Sequence, residues 1–184
     1  MAFDFKNATK LEFNTECTRI AREIGDYQFF TKKELNYLPE ILQDGEQILA
    51  FSSGLMDNNT WLITLTDKRI IFLDKGLIYG LKQTIIDLDK VNAVSGSTGL
   101  IFGRISITDG AKERKISNVL KKTVKPFTNK VQEAIEHKKR SSISSNMTVD
   151  VDPYEKLEKL SRLKDKGIIT EGEFIKEKNK ILGQ

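Results

Sequence analysis

The sequence predicts an α+β fold: a seven-stranded antiparallel barrel or sandwich capped by a helix, with helices before it and a two-helix hairpin after it. Three observations carry this. Thr60–Asp89 holds three short β-branched and aromatic runs separated by turn chemistry, Trp61–Leu65, Arg69–Leu73 and Thr84–Ile86. Further strand-like runs flank it. From Pro126 onward the periodicity changes from two to that of amphipathic helices.

The elements follow in order. Within Asn14–Ile24, Cys17, Ile20, Ala21 and Ile24 share one helical face, and Gly25 ends the helix. Phe3, Phe5, Phe13, Phe29 and Phe30 are expected to pack on the strands, with a partner-docking segment as the sharper alternative. Thr31-Lys32-Lys33-Glu34 has the pattern of a capping box, in which hydroxyl and carboxylate satisfy the free amides of a helix start. Leu35, Leu38, Ile41 and Leu42 then recur at helical spacing up to Asp44-Gly45. Gln47–Met56 reads as the first strand, turning at Asp57-Asn58-Asn59 into Trp61. Thr66-Asp67-Lys68 and the Gly76/Gly80 bracket make the next two reversals. Val91–Ser97, Ile101–Thr108 and Lys112–Ser117 complete seven strands, with Ile101, Gly103, Ile105 and Ile107 on one face. Pro126 suits the first turn of a capping helix whose apolar stripe is Phe127, Val131, Ala134 and Ile135. The Ser-rich segment 141–152 is expected to be a flexible linker. After it come a helix marked by Leu157, Leu160 and Leu163, a stop at Gly167, a second capping box at Thr170–Glu173, and a last helix.

Composition narrows the function classes. Hydrophobic residues make up 39% and charged residues 30%, which fits a modest core with long solvated helices. Net charge is only +4, but Lys112–Arg140 holds ten basic and three acidic residues, a local +7 that leaves −3 elsewhere. Cys17 is the single cysteine, so no intrachain disulfide forms and a reducing compartment is allowed. The first residues lack an apolar signal core, and no run reaches spanning length; a soluble, cytoplasmic protein is expected.

A catalytic set is not visible. His137, the single histidine, sits beside Lys138-Lys139-Arg140 and reads as surface. Cys17 reads as a buried, inert thiol. The pairs Asp87/Asp89 and Asp150/Asp152 read as strand edge and linker, since a hard-cation site wants several converging oxygens. Gly96-Ser97-Thr98-Gly99 precedes a strand and lacks a Gly-Lys-Ser/Thr ending, so it reads as a flexible connection and not a phosphate loop. No cofactor, metal or small-molecule substrate is expected. Two interaction surfaces stand out instead. One is a candidate anionic-partner patch, Lys112, Arg114 and Lys115 in the last strand and Lys121, Lys122 and Lys125 in the loop after it, facing nucleic acid or anionic lipid. The other is the hairpin stripe Leu157, Leu160, Leu163, Ile168, Ile169, Phe174, Ile175 and Ile181. Two helices of about three turns each lack a core of their own and need another surface.

Two resemblances attach to particular residues. Leu157–Leu182, through Leu160, Leu163, Lys164, Gly167, Ile169, Thr170, Glu173, Phe174 and Leu182, resembles the SHOCT domain, a short two-helix module usually C-terminal in bacterial and phage proteins. Residues 31–140 resemble bacterial pleckstrin-homology-like (PH-like) domains of the YokE-like type. The matching features are Leu38-Pro39-Glu40-Ile41-Leu42, Gly45-Glu46-Gln47-Ile48, the hairpin Leu65-Thr66-Asp67-Lys68-Arg69-Ile70-Ile71-Phe72, and a closing helix. These resemblances imply a PH-like barrel at 31–140 and a SHOCT-like hairpin at 153–184; residues 1–30, outside both, are expected to be an N-terminal helical extension, and 141–152 the linker. They imply a non-enzymatic binding or scaffold protein, with the hairpin serving oligomerisation or partner recruitment. Phosphoinositide-binding relatives place basic residues between the first two strands; Gly54–Asn59 here carries Asp57 and no base, so that route is not expected. The alternatives are a peripheral binder of anionic surfaces through 112–140, and a phage or mobile-element protein that binds and inhibits a host protein. The partner is expected to be a protein, with a second copy of this chain among the candidates.

Overall fold

A computed structural model describes residues 2–26, 31–76, 80–110, 112–147 and 153–182. Helices α1 (Lys10–Ile24), α2 (Lys32–Leu35) and α3 (Leu38–Ile41) precede strands β1 (Ile48–Met56), β2 (Asn59–Thr66), β3 (Arg69–Lys75) and β4 (Leu81–Asp87). A 3₁₀ turn, Leu88–Lys90, leads into β5 (Val91–Thr98), β6 (Phe102–Asp109) and β7 (Lys112–Leu120). Helices α4 (Lys121–Met147), α5 (Pro153–Asp165) and α6 (Glu171–Leu182) follow. The seven strands are antiparallel neighbours in the order β4-β3-β2-β1-β7-β6-β5, so β1 and β7, far apart in sequence, join two meanders. The expected α+β architecture is the one observed.

Local chemistry explains most elements. The β1–β2 hairpin turns on Asp57 and Asn58, both left-handed at φ 51° and 60°, which Asp and Asn tolerate and which matches strand twist. Helix α1 starts three residues before Phe13, on a capping box in which Thr9 accepts from the Glu12 amide and Glu12 accepts from the Thr9 amide. That start lies ahead of the expected Asn14 because Thr9 and Glu12 supply it. The expected face is correct: Cys17, Ile20, Ala21 and Ile24 are buried together with Phe13, and Gly25 closes the helix at φ 80°. Phe5 is buried too, and Phe3, Phe5 and Phe13 stack edge to face. Phe29 and Phe30 lie outside the described residues.

The Thr31–Glu34 capping box is not formed. The Thr31 hydroxyl pairs with the Ser53 hydroxyl at 2.6 Å, and one Glu34 carboxylate oxygen accepts the Lys75 amide at 3.0 Å. Both side chains are spent on holding α2 to the sheet, which outweighs capping a helix of one turn. Covered by these helices outside and by the barrel inside, β2 and β3 are buried along nearly their whole length. Continuous runs such as Ile70-Ile71-Phe72-Leu73 are therefore required, where a one-sided strand would alternate.

One buried ionic cluster ties these pieces. Arg69 grips Glu46 with two bonds of 2.9 Å and also donates to the Ile41 carbonyl. Glu46 further accepts from the Thr66 hydroxyl at 2.7 Å and the Gln43 amide at 2.8 Å, while Thr66 takes the Lys68 and Arg69 amides. Burial pushes the Glu46 carboxyl up, but the bonds from Arg69, Gln43 and Thr66 outweigh it and hold the group below the usual range.

Helix α4 begins at Lys121, five residues before the expected start at Pro126, which lies inside it. Tertiary packing sets this start. Thr123 is buried and donates to the Gly25 carbonyl at 3.0 Å, and Val124 sits on two glycines. A Cβ on Gly96 would lie 2.6 Å from Val124 Cγ1, and one on Gly103 would lie 2.6 Å from Val124 Cγ2. Gly96 is therefore a packing position and not part of a flexible connection. The stripe beyond it holds, with Phe127, Val131 and Ala134 buried and Ile135 half-buried. The helix runs to Met147 and so covers the first residues of the expected linker; no Gly or Pro interrupts it after Pro126. Ile101 differs as well: it lies before β6 and is 67% exposed, while Gly103, Ile105 and Ile107 point inward.

The chain divides into two compact units, 1–140 and 141–184. In the second, Gly167 at φ 68° ends α5, with Ile168 donating to the Leu163 carbonyl and Gly167 to that of Lys164. The expected Thr170–Glu173 capping box starts α6.

Two predictions follow from this packing. Glu46→Ala leaves Arg69 charged and unpaired, and urea unfolding is expected to show a loss of about 3–5 kcal/mol. Adding Arg69→Met should then cost less than the sum of the single changes. Because the Glu46 carboxyl titrates lower in the folded chain than in the unfolded one, its contribution is full above the ordinary carboxyl range of about 4.3 and is lost as pH falls through the folded-state value. Gly96→Ala is expected to cost about 1–3 kcal/mol by overpacking, with partial recovery when Val124→Ala is added.

Candidate interaction surfaces

The six bases expected to form one anionic-partner patch occupy two places. Lys112, Arg114 and Lys115 lie at the start of β7 and line a cleft that also holds Asp57, Trp61 and Glu113. Two of the three are committed locally. Arg114 is ion-paired with Asp109 and lies over the Phe72 ring at 5.7 Å, and Lys115 reaches Glu113 at 3.2 Å. The Lys115 and Ser106 hydrogen bonds hold the Glu113 carboxyl below its ordinary range. With Asp57 and Glu113 among its walls, this cleft has mixed charge.

Lys121, Lys122 and Lys125 stand past the far end of β7. Contrary to the expected loop, they occupy the first two turns of α4, and all three are exposed. At about 3.3 Å per strand residue, the seven residues from Arg114 to Lys121 span roughly 23 Å. This second group borders a separate, more apolar cleft with Ile101, Leu120 and Pro126. The connection beside it exposes Leu100, Ile101 and Phe102 at 90%, 67% and 47%. Sequence reasoning missed this tip because Ile101 fitted the inward alternation of β6. The signal that could have found it is Gly99, a turn residue directly before Leu100, whose amide donates to the Phe102 carbonyl at 2.8 Å.

The hairpin residues are distributed differently. Leu157, Leu160, Ile169, Phe174 and Ile181 are half-covered, whereas Leu163, Ile168 and Ile175 are 38%, 65% and 49% exposed. Leu182, outside the expected stripe, is 43% exposed. Polar contacts brace the pair: Lys164 reaches Glu171 at 3.1 Å and lies over the Phe174 ring at 4.8 Å. None of the described residues of α5 and α6 is buried.

The groups considered for catalysis are dispersed. Cys17 is buried, and burial, with Glu16 adding to it, pushes its thiol up to about 12, which keeps it protonated. His137 is exposed on α4 in a shallow cleft with Arg19, Glu23, Lys130 and Glu133. Asp87 and Asp89 are both exposed. Among the described residues no three His, Cys, Asp or Glu side chains are placed to hold a metal ion, and no helix is long and apolar enough to cross a membrane. Asp150 and Asp152 lie outside the described residues.

Comparison with known proteins gives two positive findings. Residues 42–133 match the family model described as Bacterial PH domain. Solved structures that match include a protein with a pleckstrin-homology domain from Shewanella loihica PV-4, at 18% identity over 58% of this chain and 93% of that one, TM-score 0.36. Another is a pleckstrin homology domain from Shewanella amazonensis SB2B, at 18% identity over 59% of this chain and 86% of that one, TM-score 0.37. No curated protein matches. The matched residues run from the end of the leading helices, through all seven strands, into the capping helix, and with half of its length so matched the chain belongs to the bacterial PH domain family.

Proposed function

We propose that this protein is a non-enzymatic scaffold whose C-terminal hairpin joins copies of the chain, leaving the PH-like barrel as the displayed module. One observation carries the reading: the hairpin leaves Ile168 and Ile175 65% and 49% exposed, and none of its described residues is buried. Isolated helices shorter than about 12–15 residues are marginal in water. Helices α5 and α6, of 13 and 12 residues, therefore need an external apolar surface, and a second hairpin offers the same one. The resemblance of Leu157–Leu182 to the SHOCT module supports the same role. The dispersed titratable groups favour binding over chemistry.

The full chain is expected to sediment as a defined oligomer at micromolar concentration. Ile168→Lys with Ile175→Lys should convert it to a monomer while the β-sheet signal in circular dichroism is unchanged. A parent chain that is already monomeric at those concentrations would defeat the self-association reading.

A further inference from the structure

The sequence holds two Asp-Gly dipeptides, Asp44-Gly45 and Asp109-Gly110. In such a pair the glycine main-chain nitrogen can attack the aspartate Cγ, because no side chain shields it. The nitrogen gives up its proton to water, the new C–N bond forms, and one carboxyl oxygen leaves as water. Water then opens the resulting five-membered imide. Opening at the former main-chain carbonyl leaves the chain running through Cγ, an isoaspartyl linkage one methylene longer. No co-reactant besides water is needed.

The fold treats the two dipeptides differently. At Asp109-Gly110 both reacting groups are engaged, the carboxylate with Arg114 and the Gly110 amide with Asn92 Oδ1. The side chains of Arg114 and Asp109 are only 10% and 23% exposed, so reaction there waits on local opening of the β6–β7 hairpin. At Asp44-Gly45 neither group is held. The two residues form the middle of a turn that the Glu46 amide closes on the Gln43 carbonyl at 3.1 Å, with Gly45 at φ 70°. The Asp44 side chain is 87% exposed, and its contact with Lys6 at 2.6 Å is a surface ion pair open to solvent. Among the described residues no acceptor takes the Gly45 amide, and no atom lies within 4 Å of where its Cβ would stand. One contact favours the reaction: the Lys68 ammonium donates to the Asp44 main-chain carbonyl at 3.3 Å. A cation on that oxygen draws electrons from the attached Gly45 nitrogen, which eases loss of its proton. It also polarises the carbonyl that water must attack.

We infer that Asp44 is a site of spontaneous isoaspartyl formation in the folded protein, promoted by Lys68, and that the conversion loosens the buried Glu46 cluster. The added main-chain atom falls between Gln43 and Glu46. Two bonds span that turn, the Gln43 amide to Glu46 Oε2 at 2.8 Å and the Glu46 amide to the Gln43 carbonyl. A longer link draws them out of register, and Glu46 then presents a poorer grip to Arg69. The free α-carboxyl of the product makes the aged chain a substrate for carboxyl methylation. The inference concerns the first unit of the chain and does not rest on self-association of the hairpin.

The test is to hold the full chain in warm neutral buffer for weeks and map isoaspartate by tryptic digestion, mass spectrometry with electron-based fragmentation, and methyl transfer by an isoaspartyl-specific methyltransferase. Isoaspartate is expected in peptide 34–68, and about tenfold less in peptide 105–112. In urea the two peptides should convert at similar rates, because only the fold separates them. Lys68→Met should slow conversion at Asp44 about threefold, and Lys68→Arg should preserve it. Asp44→Glu, which would have to close a six-membered imide, should not convert. The aged parent should unfold at lower urea than the fresh one, whereas aged Asp44→Glu should match its fresh form. The inference is overturned if Asp109 converts as fast as Asp44 in the folded chain, if Asp44 stays unconverted, if Lys68→Met converts as the parent does, or if the isoaspartyl form unfolds at the same urea concentration as the fresh chain.

Discussion

The barrel depends on a single buried carboxylate. Glu46 sits just before β1, and its partners come from the segment behind it and from the β2–β3 turn: Gln43, Thr66 and Arg69, with Arg69 also reaching Ile41. Burying such a pair brings little net stability, because desolvation offsets much of the attraction. Its value is geometric. A slip of one residue in the β2–β3 pairing would move Thr66 or Arg69 to the opposite face and leave Glu46 charged and alone. Hydrophobic contacts alone tolerate such slips more easily, since Ile70, Ile71, Phe72 and Leu73 are all buried on one face or the other.

A second constraint is the closeness of α4 to β5 and β6. The two glycines under Val124 admit the helix, and the helix in turn brings its first lysines to the β5–β6 connection. Packing and surface charge are thus the same decision at this end of the barrel. At the other end of β7 the bases answer acids already present, Asp109 and Glu113, and the field there is largely cancelled. A run of positive residues in sequence becomes two separate groups once the strand divides them, one of which answers acids within its own strand pair.

Strands were legible because β-branched runs bounded by Asp, Asn and Gly have few other solutions; β2, β3 and β7 lie close to where periodicity puts them. What escaped was information held between distant positions. Glu46 and Arg69 both stand in recognisable motifs, yet nothing local says that they meet across 23 residues. The start of α4 was masked by Pro126, whose preference for a first helical turn lost to the burial of Thr123 and Val124. Thr31 and Glu34 had capping chemistry and spent it on the sheet instead. The exposed apex was hidden by an alternation that continued one residue further in sequence than in space. The hairpin stripe was readable as apolar, but which members face outward depends on how α5 and α6 lean together.

Helix α1 lies entirely ahead of the residues that match the family, yet it supplies five buried side chains, Phe13, Cys17, Ile20, Ala21 and Ile24. Asp26, just beyond it, accepts the Ser53 amide of β1 at 2.7 Å. Burial of each large apolar side chain contributes about 1.5–3 kcal/mol. Phe13, Ile20 and Ile24 together therefore approach the whole net stability of a small domain, roughly 5–15 kcal/mol. The segment that matches the family and the segment that shares one core have different edges here. Recombination that moved only the family segment into a new chain would deliver a barrel with an open flank, so α1 and the strands must travel together or be replaced together.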